Sequence, residues 1–290
     1  MAEGIYRSPI YYAGSKRNKL DFLLEHMPPT INDYFEPFCG SCNVALALQD
    51  RVKERIILSD SNMYLINMLK TIRSKPESTR RNIIEIIKEV GKVDTIKTIV
   101  TNADITALYK YTNTVTPNKN QDPVEAAKLF IQLRVAYGYK LALNAKRKNT
   151  SSRNAHLMGI KGEYVVQQDF YEAFSHFAHF LNKDNVYLFC NTYRRVLPSH
   201  HSLTFIDPPY DTKDGDPFDG YPERFSSIDQ GRLRDWCIFY AYRTTIRYIN
   251  YGTPFIRRLF DGVFPLLGTT APDPGSTHHR KHTGEVYYGN

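Results

Sequence analysis

The sequence predicts an α/β fold, a Rossmann-like open sheet interrupted by a mostly helical insertion. Three observations carry the prediction. Leu203 to Ile206 is an apolar run that stops at Asp207-Pro208-Pro209-Tyr210. That is a buried strand closed by two residues with no N–H to continue it. Tyr34 to Glu36, a tight loop over 37–41, an apolar helix over 42–49 and a strand from Arg55 to Leu58 form a strand–loop–helix–strand unit of such a sheet. Residues 70–168 are mostly helical in pattern with polar loops, and they divide the sheet between residues 1–69 and 169–290.

In chain order, a short apolar strand breaks at Ala13-Gly14, where glycine permits positive φ. Ser15 is positioned to cap a helix beginning near Lys16, whose start suits a carboxylate or phosphate. The loop after Tyr34–Glu36 has one glycine and no dinucleotide fingerprint, which disfavours a nicotinamide or flavin. Asp60 ends the second strand 24 positions after Glu36, where nucleotide-binding sheets place an acid on the ribose; an N-cap is its plainer role. Met63 to Leu69 continues as helix.

Within the insertion, helical patterns cover 82–90 and 124–137, with shorter segments at 93–100 and 105–111 and a loop over 112–123. The polar run Lys146 to Asn154 presents side chains that pair with phosphates and base edges, or is a solvated loop. A helix over 169–182 and a strand over 185–190 return the chain to the sheet, with His176 and His179 read as ordinary helix residues. After Tyr210, the Asp-, Gly- and Pro-rich stretch 211–222 suits a mobile lid. A helix capped by Ser227 follows, then a strand over 244–251, a helix over 255–260, a basic cluster at 278–282 and a last strand over 285–288.

The chemistry concentrates at Asp207. The exocyclic amine of a nucleobase is a poor nucleophile, because its lone pair is delocalised into the ring. Two acceptors on its hydrogens, the Asp207 carboxylate and the Pro208 carbonyl, favour the tetrahedral nitrogen, and Tyr210 offers a stacking face. With a sulfonium as methyl donor, positioning and electrostatics carry the rate. Taken alone, the same residues also serve as a strand-to-loop turn.

The bulk numbers agree. The 290 residues carry a formal charge of +8, which favours a polyanionic partner, nucleic acid by default. The 21 tyrosines and 16 phenylalanines suit base stacking or reflect compositional bias. Four cysteines fit a reducing compartment, and the Cys39-x-x-Cys42 pair lacks the second pair of a zinc site, so no metal is expected. No apolar run of membrane-spanning length occurs, and a soluble intracellular protein is expected.

In this order and spacing, Tyr12-Ala13-Gly14-Ser15-Lys16, Glu36-Pro37-Phe38-Cys39-Gly40-Ser41, Asp60 and Asp207-Pro208-Pro209-Tyr210 resemble the Dam-type, α-group adenine-N6 DNA methyltransferases. The resemblance implies an S-adenosylmethionine-dependent sheet with a helical target-recognition domain inserted in it. Tyr12 and Lys16 then contact the methionine portion of S-adenosyl-L-methionine, and Asp60 holds its ribose. Asn191 and Tyr193 lie near its adenine, and Glu36, Phe38 and Gly40 complete the cofactor site. Asp207, with Pro208, contacts both the cofactor and the target amine; Tyr210 stacks on a flipped adenine that Phe225 helps to hold. Arg134, Tyr139, Lys140, Lys146, Arg147, Lys148 and Arg153 fall among the DNA-binding residues. Expected partners are double-stranded DNA and, in a restriction setting, a companion restriction endonuclease, with the enzyme a monomer or weak dimer. Tyr12 replaces the family's usual tryptophan and Ser15 its usual glycine. The hairpin matches poorly beyond Tyr137-Gly138-Tyr139, so no target sequence carries over. Asp-Pro-Pro-Tyr also occurs in cytosine-N4 methylases. Cytosine-N4 or RNA amine methylation, and a silent DNA-binding relative, are the alternatives.

Overall fold

The computed structural model describes residues 7–92, 101–112, 121–135, 169–213, 216–217, 225–271 and 284–290. Its strands are β1 (Tyr34–Glu36), β2 (Ile56–Asp60), β3 (Val186–Cys190), β4 (Ser202–Ile206), β5 (Asp211–Lys213), β6 (Asp216–Pro217), β7 (Thr244–Tyr251), β8 (Leu266–Thr269) and β9 (Glu285–Gly289). Its helices are α1 (Leu20–Glu25), α2 (Asn43–Leu48), α3 (Met63–Ser74), α4 (Pro76–Glu89), α5 (Asn102–Thr112), α6 (Pro123–Val135), α7 (Phe170–Asn182), α8 (Ser227–Tyr240) and α9 (Pro254–Phe260).

Among the described residues, seven strands form one sheet in the order β3-β2-β1-β4-β7-β9-β8. The five from β3 to β7 are parallel, and β9 pairs antiparallel with both β7 and β8. The chain leaves β1 toward β2 and leaves β4 toward β7, so the order reverses between β1 and β4. Open α/β sheets hold ligands outside the carboxyl ends of the strands at this point. The loops after Glu36 and Ile206 both end there.

Both faces of the sheet are covered. Phe205 and Ile206 are neighbours on β4, so their side chains point to opposite faces. Phe205 packs in a large cluster drawn from α1–α7, and Ile206 in a smaller one with α8 and α9. Complete burial on both sides explains why β4 is a continuous apolar run rather than an alternating one. Helix α3 runs through position 70, and α4 and α6 pack on it, with α4 also touching α7. No helix among the described residues is long and apolar enough to cross a membrane.

Several local expectations are corrected. Residues 9–12 form no strand: this segment is fastened by side chains instead of a ladder, with the Ser8 amide donating to Asn43 Oδ1 at 2.9 Å. Ser15 caps no helix. Lys16 precedes a 3-10 turn over Arg17–Lys19 with no side-chain cap, and the Ser15 hydroxyl accepts from Asn43 Nδ2 at 2.8 Å. Asp60 is not the cap of α3; Asn62 is, accepting from the amides of Tyr64 and Leu65. Ser226, not Ser227, caps α8 in a box with Asp229. Both serines have a box partner three residues on, but Gln230 is drawn to the Pro209 carbonyl at 2.8 Å, which leaves the box to Ser226 and Asp229. Of the stretch 211–222 expected as a lid, 211–213 and 216–217 form the short β5–β6 ladder, with Asp211 tied at its amide to Asn250 Oδ1 and at its carboxylate to the Thr253 hydroxyl, and 214–215 and 218–222 lie outside the described residues. Strand β8 was not expected; Leu266-Leu267-Gly268-Thr269 is too short and mixed to stand out. The segments 93–100, 146–154 and 278–282 lie outside the described residues.

Candidate active site

Loops from the amino-terminal segment, β1, β2, β3 and β4 surround one cavity of about 290 Å³. Gly40, with φ +48°, is where close approach demands glycine: a Cβ there would meet the Tyr12 ring at 3.3 Å. The Tyr12 hydroxyl accepts from Asn62 Nδ2 at 3.2 Å, which joins the first segment to the cap of α3. Asp60 is held from both sides, accepting from the Gly40 amide at 3.1 Å and the Asn62 amide at 2.9 Å.

At the base of the cavity Lys16, 4% exposed, donates to the Gly14 carbonyl at 2.6 Å and pairs with Asp207 Oδ2 at 2.7 Å. Its ammonium also lies 4.8 Å from the centre of the Tyr210 ring. Burial disfavours its charge, but Asp207 and Glu285 outweigh burial and hold the lysine above its ordinary range. Burial drives the Asp207 carboxyl up to about 6, against the opposing pull of Lys16. Burial likewise lifts Glu36 well above the usual carboxylate range; the Tyr34 hydroxyl, donating at 3.1 Å, opposes the rise and Asp207 adds to it. The corner sets two carboxyl groups, Asp207 and Glu36, against one ammonium, and a cationic ligand would favour the ionised form of both. Glu285 is additionally paired with Lys19.

Part of the wall is aromatic. Phe38 stacks on Tyr193 with ring centres 5.6 Å apart, and Phe225 meets Phe38 edge-on at 5.8 Å. Tyr12, Lys16, Glu36, Phe38, Gly40, Asp60, Asn191, Tyr193, Asp207 and Phe225 thus all line one cavity. Phe225 also lies 6.2 Å, centre to centre, from the Tyr193 ring. Tyr210 is 8% exposed and sits under Lys16 and edge-on to Tyr251, with ring centres 4.7 Å apart. Pro208 and Tyr210 are absent from the cavity wall. Arg134 is buried on α6 with its guanidinium 4.1 Å from the Tyr11 ring centre. Tyr139, Lys140, Lys146, Arg147, Lys148 and Arg153 lie outside the described residues. Asn43, Asn62 and Gln230, which fasten the loops, were not singled out from sequence. Polar residues at the starts of helices gave the only signal, and it does not distinguish a cap from a loop anchor.

This cavity at a sheet switch point, with an Asp-Pro-Pro-Tyr corner and acidic and aromatic walls, defines a nucleotide-type site in an α/β transferase fold. The family model for the D12 class N6 adenine-specific DNA methyltransferases matches residues 12–270. The chain belongs to that family. It is an adenine-N6 DNA methyltransferase, acting on DNA, and the family implies S-adenosylmethionine as methyl donor. The match selects adenine-N6 over the cytosine-N4 and RNA alternatives.

Proposed function

We propose that the protein methylates adenine at particular sites in double-stranded DNA, on a base flipped out of the helix, by direct transfer without a covalent intermediate. The single observation that carries this is the largely enclosed Asp207 carboxylate at the switch point, 16% exposed, fixed by Lys16 and lining the cavity.

The residues present fit S-adenosylmethionine. Its ammonium and sulfonium call for acceptors, which Glu36 and Asp207 supply. Its ribose calls for a carboxylate, Asp60, and its adenine for apolar rings, Phe38 and Tyr193, with Asn191 beside them. Lys16 takes the amino-acid carboxylate, with Tyr12 and Gly40 closing that side. Bound there, the cofactor supplies an electrophilic methyl group on a sulfur that leaves as a neutral thioether.

Asp207 and the Pro208 carbonyl accept hydrogen bonds from the target N6 hydrogens and localise the nitrogen lone pair for attack; Asp207 then takes the proton the amine sheds. This is preorganised electrostatics rather than strong basicity. Tyr210 stacks on the extruded base once Lys16 turns to the cofactor, and Phe225 steadies it. Target reading falls to the insertion 70–168, with Tyr139, Lys140, Lys146, Arg147, Lys148 and Arg153 on the DNA and Arg134 supporting them from the end of α6. We assign no metal to the reaction. A monomer or weak dimer suffices, and restriction with a companion endonuclease is one setting for the activity.

Nucleoside mass spectrometry after incubation with duplex DNA and cofactor tests the reading. N6-methyladenine at a fixed sequence context is expected; no methylated adenine across varied sequences, or methylation of single strands alone, contradicts it. Asp60→Ala is expected to weaken cofactor binding by roughly 10–100-fold, about 1.4–2.8 kcal/mol, as buried hydrogen bonds are lost. Calorimetry reads this, and unchanged affinity removes Asp60 from the site.

A further inference from the structure

We propose that Gln230 is a positioning residue for methyl transfer: it fixes the Asp207–Pro208 acceptor pair by holding the Pro209 carbonyl. The inference rests on the acceptor reading given above.

Neither Pro208 nor Pro209 has an N–H, so this corner cannot be secured by its own backbone donors at those positions. Lys16 holds the Asp207 carboxylate, and the backbone of the corner is held at its entry, middle and exit. Its entry is β4, paired with β7 as far as Ile206 opposite Tyr248. Its exit is the Asp211 amide, donating to Asn250 Oδ1 at 3.2 Å. Between them, Gln230 Nε2 donates to the Pro209 carbonyl at 2.8 Å. Gln230 is 1% exposed, and its amide orientation is set by the other end. Its Oε1 accepts from the Tyr248 hydroxyl at 3.2 Å, with Asn250 Nδ2 at 3.5 Å, and Asn250 Nδ2 donates to the Tyr248 oxygen at 2.7 Å. Reversing the Gln230 amide would set its oxygen against the Pro209 carbonyl and its nitrogen against Asn250 Nδ2, so the network favours this arrangement.

This arrangement sets the plane of the Pro209–Tyr210 peptide. With β4 fixing the other side, the direction of the Pro208 carbonyl and the backbone from which the Asp207 side chain leaves toward Lys16 follow. Acceptor geometry acts on the transition state more than on the bound ground state, so its loss falls on the rate of transfer rather than on binding. Gln230 touches neither substrate nor cofactor in this account and acts through the loop.

The test is single-turnover transfer to duplex DNA by Gln230→Met, with Tyr248→Phe as a milder variant that keeps the ring and removes the hydroxyl orienting Gln230. Phe264→Leu, in the same apolar cluster but outside this network, is the control for lost stability. Gln230→Met is expected to slow the transfer step by roughly tenfold or more, and Tyr248→Phe by a few-fold, with KM for cofactor and DNA within about twofold of wild type. Phe264→Leu should transfer at the wild-type rate. Equal slowing by Phe264→Leu at a matched loss of stability, or a change confined to KM, overturns the proposal. If Gln230→Met does not fold, Tyr248→Phe decides by the same criterion. Asp207→Ala separates the two readings: full activity there refutes the acceptor assignment itself, whereas an inactive Asp207→Ala beside a full-rate Gln230→Met refutes the positioning role alone.

Discussion

Asp207→Ala is expected to lower the single-turnover rate of methyl transfer by roughly 10³-fold or more, about 4 kcal/mol, the scale for removing a preorganised polar group from a reacting centre. DNA affinity by fluorescence anisotropy should stay within about twofold. Asp207→Asn is the sharper probe, because it keeps an acceptor oxygen and removes the titration. In the free enzyme burial holds this carboxyl at about 6 against Lys16. Below that pH it is protonated and loses acceptor strength, so kcat/KM should fall as pH drops through about 6 and level off above it. Asp207→Asn should be slower and flat across the same range. A wild-type profile without an acid limb, or an unchanged limb in Asp207→Asn, contradicts the assignment.

Lys16→Met is the second large effect. The Lys16–Asp207 contact is a pair at 2.7 Å with Lys16 4% and Asp207 16% exposed, and removing one partner of a fully buried pair costs about 3–5 kcal/mol when the other stays charged, an upper bound for this one. Asp207 can escape that cost by protonating. The expected result is therefore a modest fall in the urea midpoint and an upward move of the acid limb, because the contribution that holds Asp207 down is gone. Cofactor affinity should fall by roughly 30-fold or more, since truncating one side of a buried charge pair costs about 2–5 kcal/mol. A limb still centred near 6, with cofactor affinity intact, places Lys16 outside both roles.

What the sequence revealed and what it hid follow from how far each signal reaches. The strand before Asp207 was legible because burial on both faces removes alternation and leaves a run of apolar residues closed by prolines. Strand β7 was found with its exact bounds for a related reason: its eight residues are long and rich in β-branched and aromatic side chains. Gly14 and Gly40, each at positive φ, marked the loops where the backbone must turn. The errors cluster where a side chain has two lawful uses. Ser15 reads as a cap but serves Ser41 and Asn43, at 3.1 and 2.8 Å. Ser226 and Ser227 both satisfy the capping-box pattern, and only the distant Pro209 carbonyl decides between them. Arg134 is expected among the DNA-binding residues, yet α6 is buried nearly all round and the Arg134 guanidinium packs on the Tyr11 ring. The aromatic wall joins Phe38, Tyr193 and Phe225 from three separated loops, a juxtaposition no local pattern encodes.

The most direct test of the central claim is the structure of the ternary complex with duplex DNA and a methyl-donor analogue that cannot react. The target adenine should lie outside the helix, with N6 at hydrogen-bond distance, roughly 2.7–3.2 Å, from both the Asp207 carboxylate and the Pro208 carbonyl, and the Tyr210 ring on the base face. An adenine bound with N6 directed away from Asp207, or Tyr210 still covered by Lys16 while the base occupies the site, would contradict it.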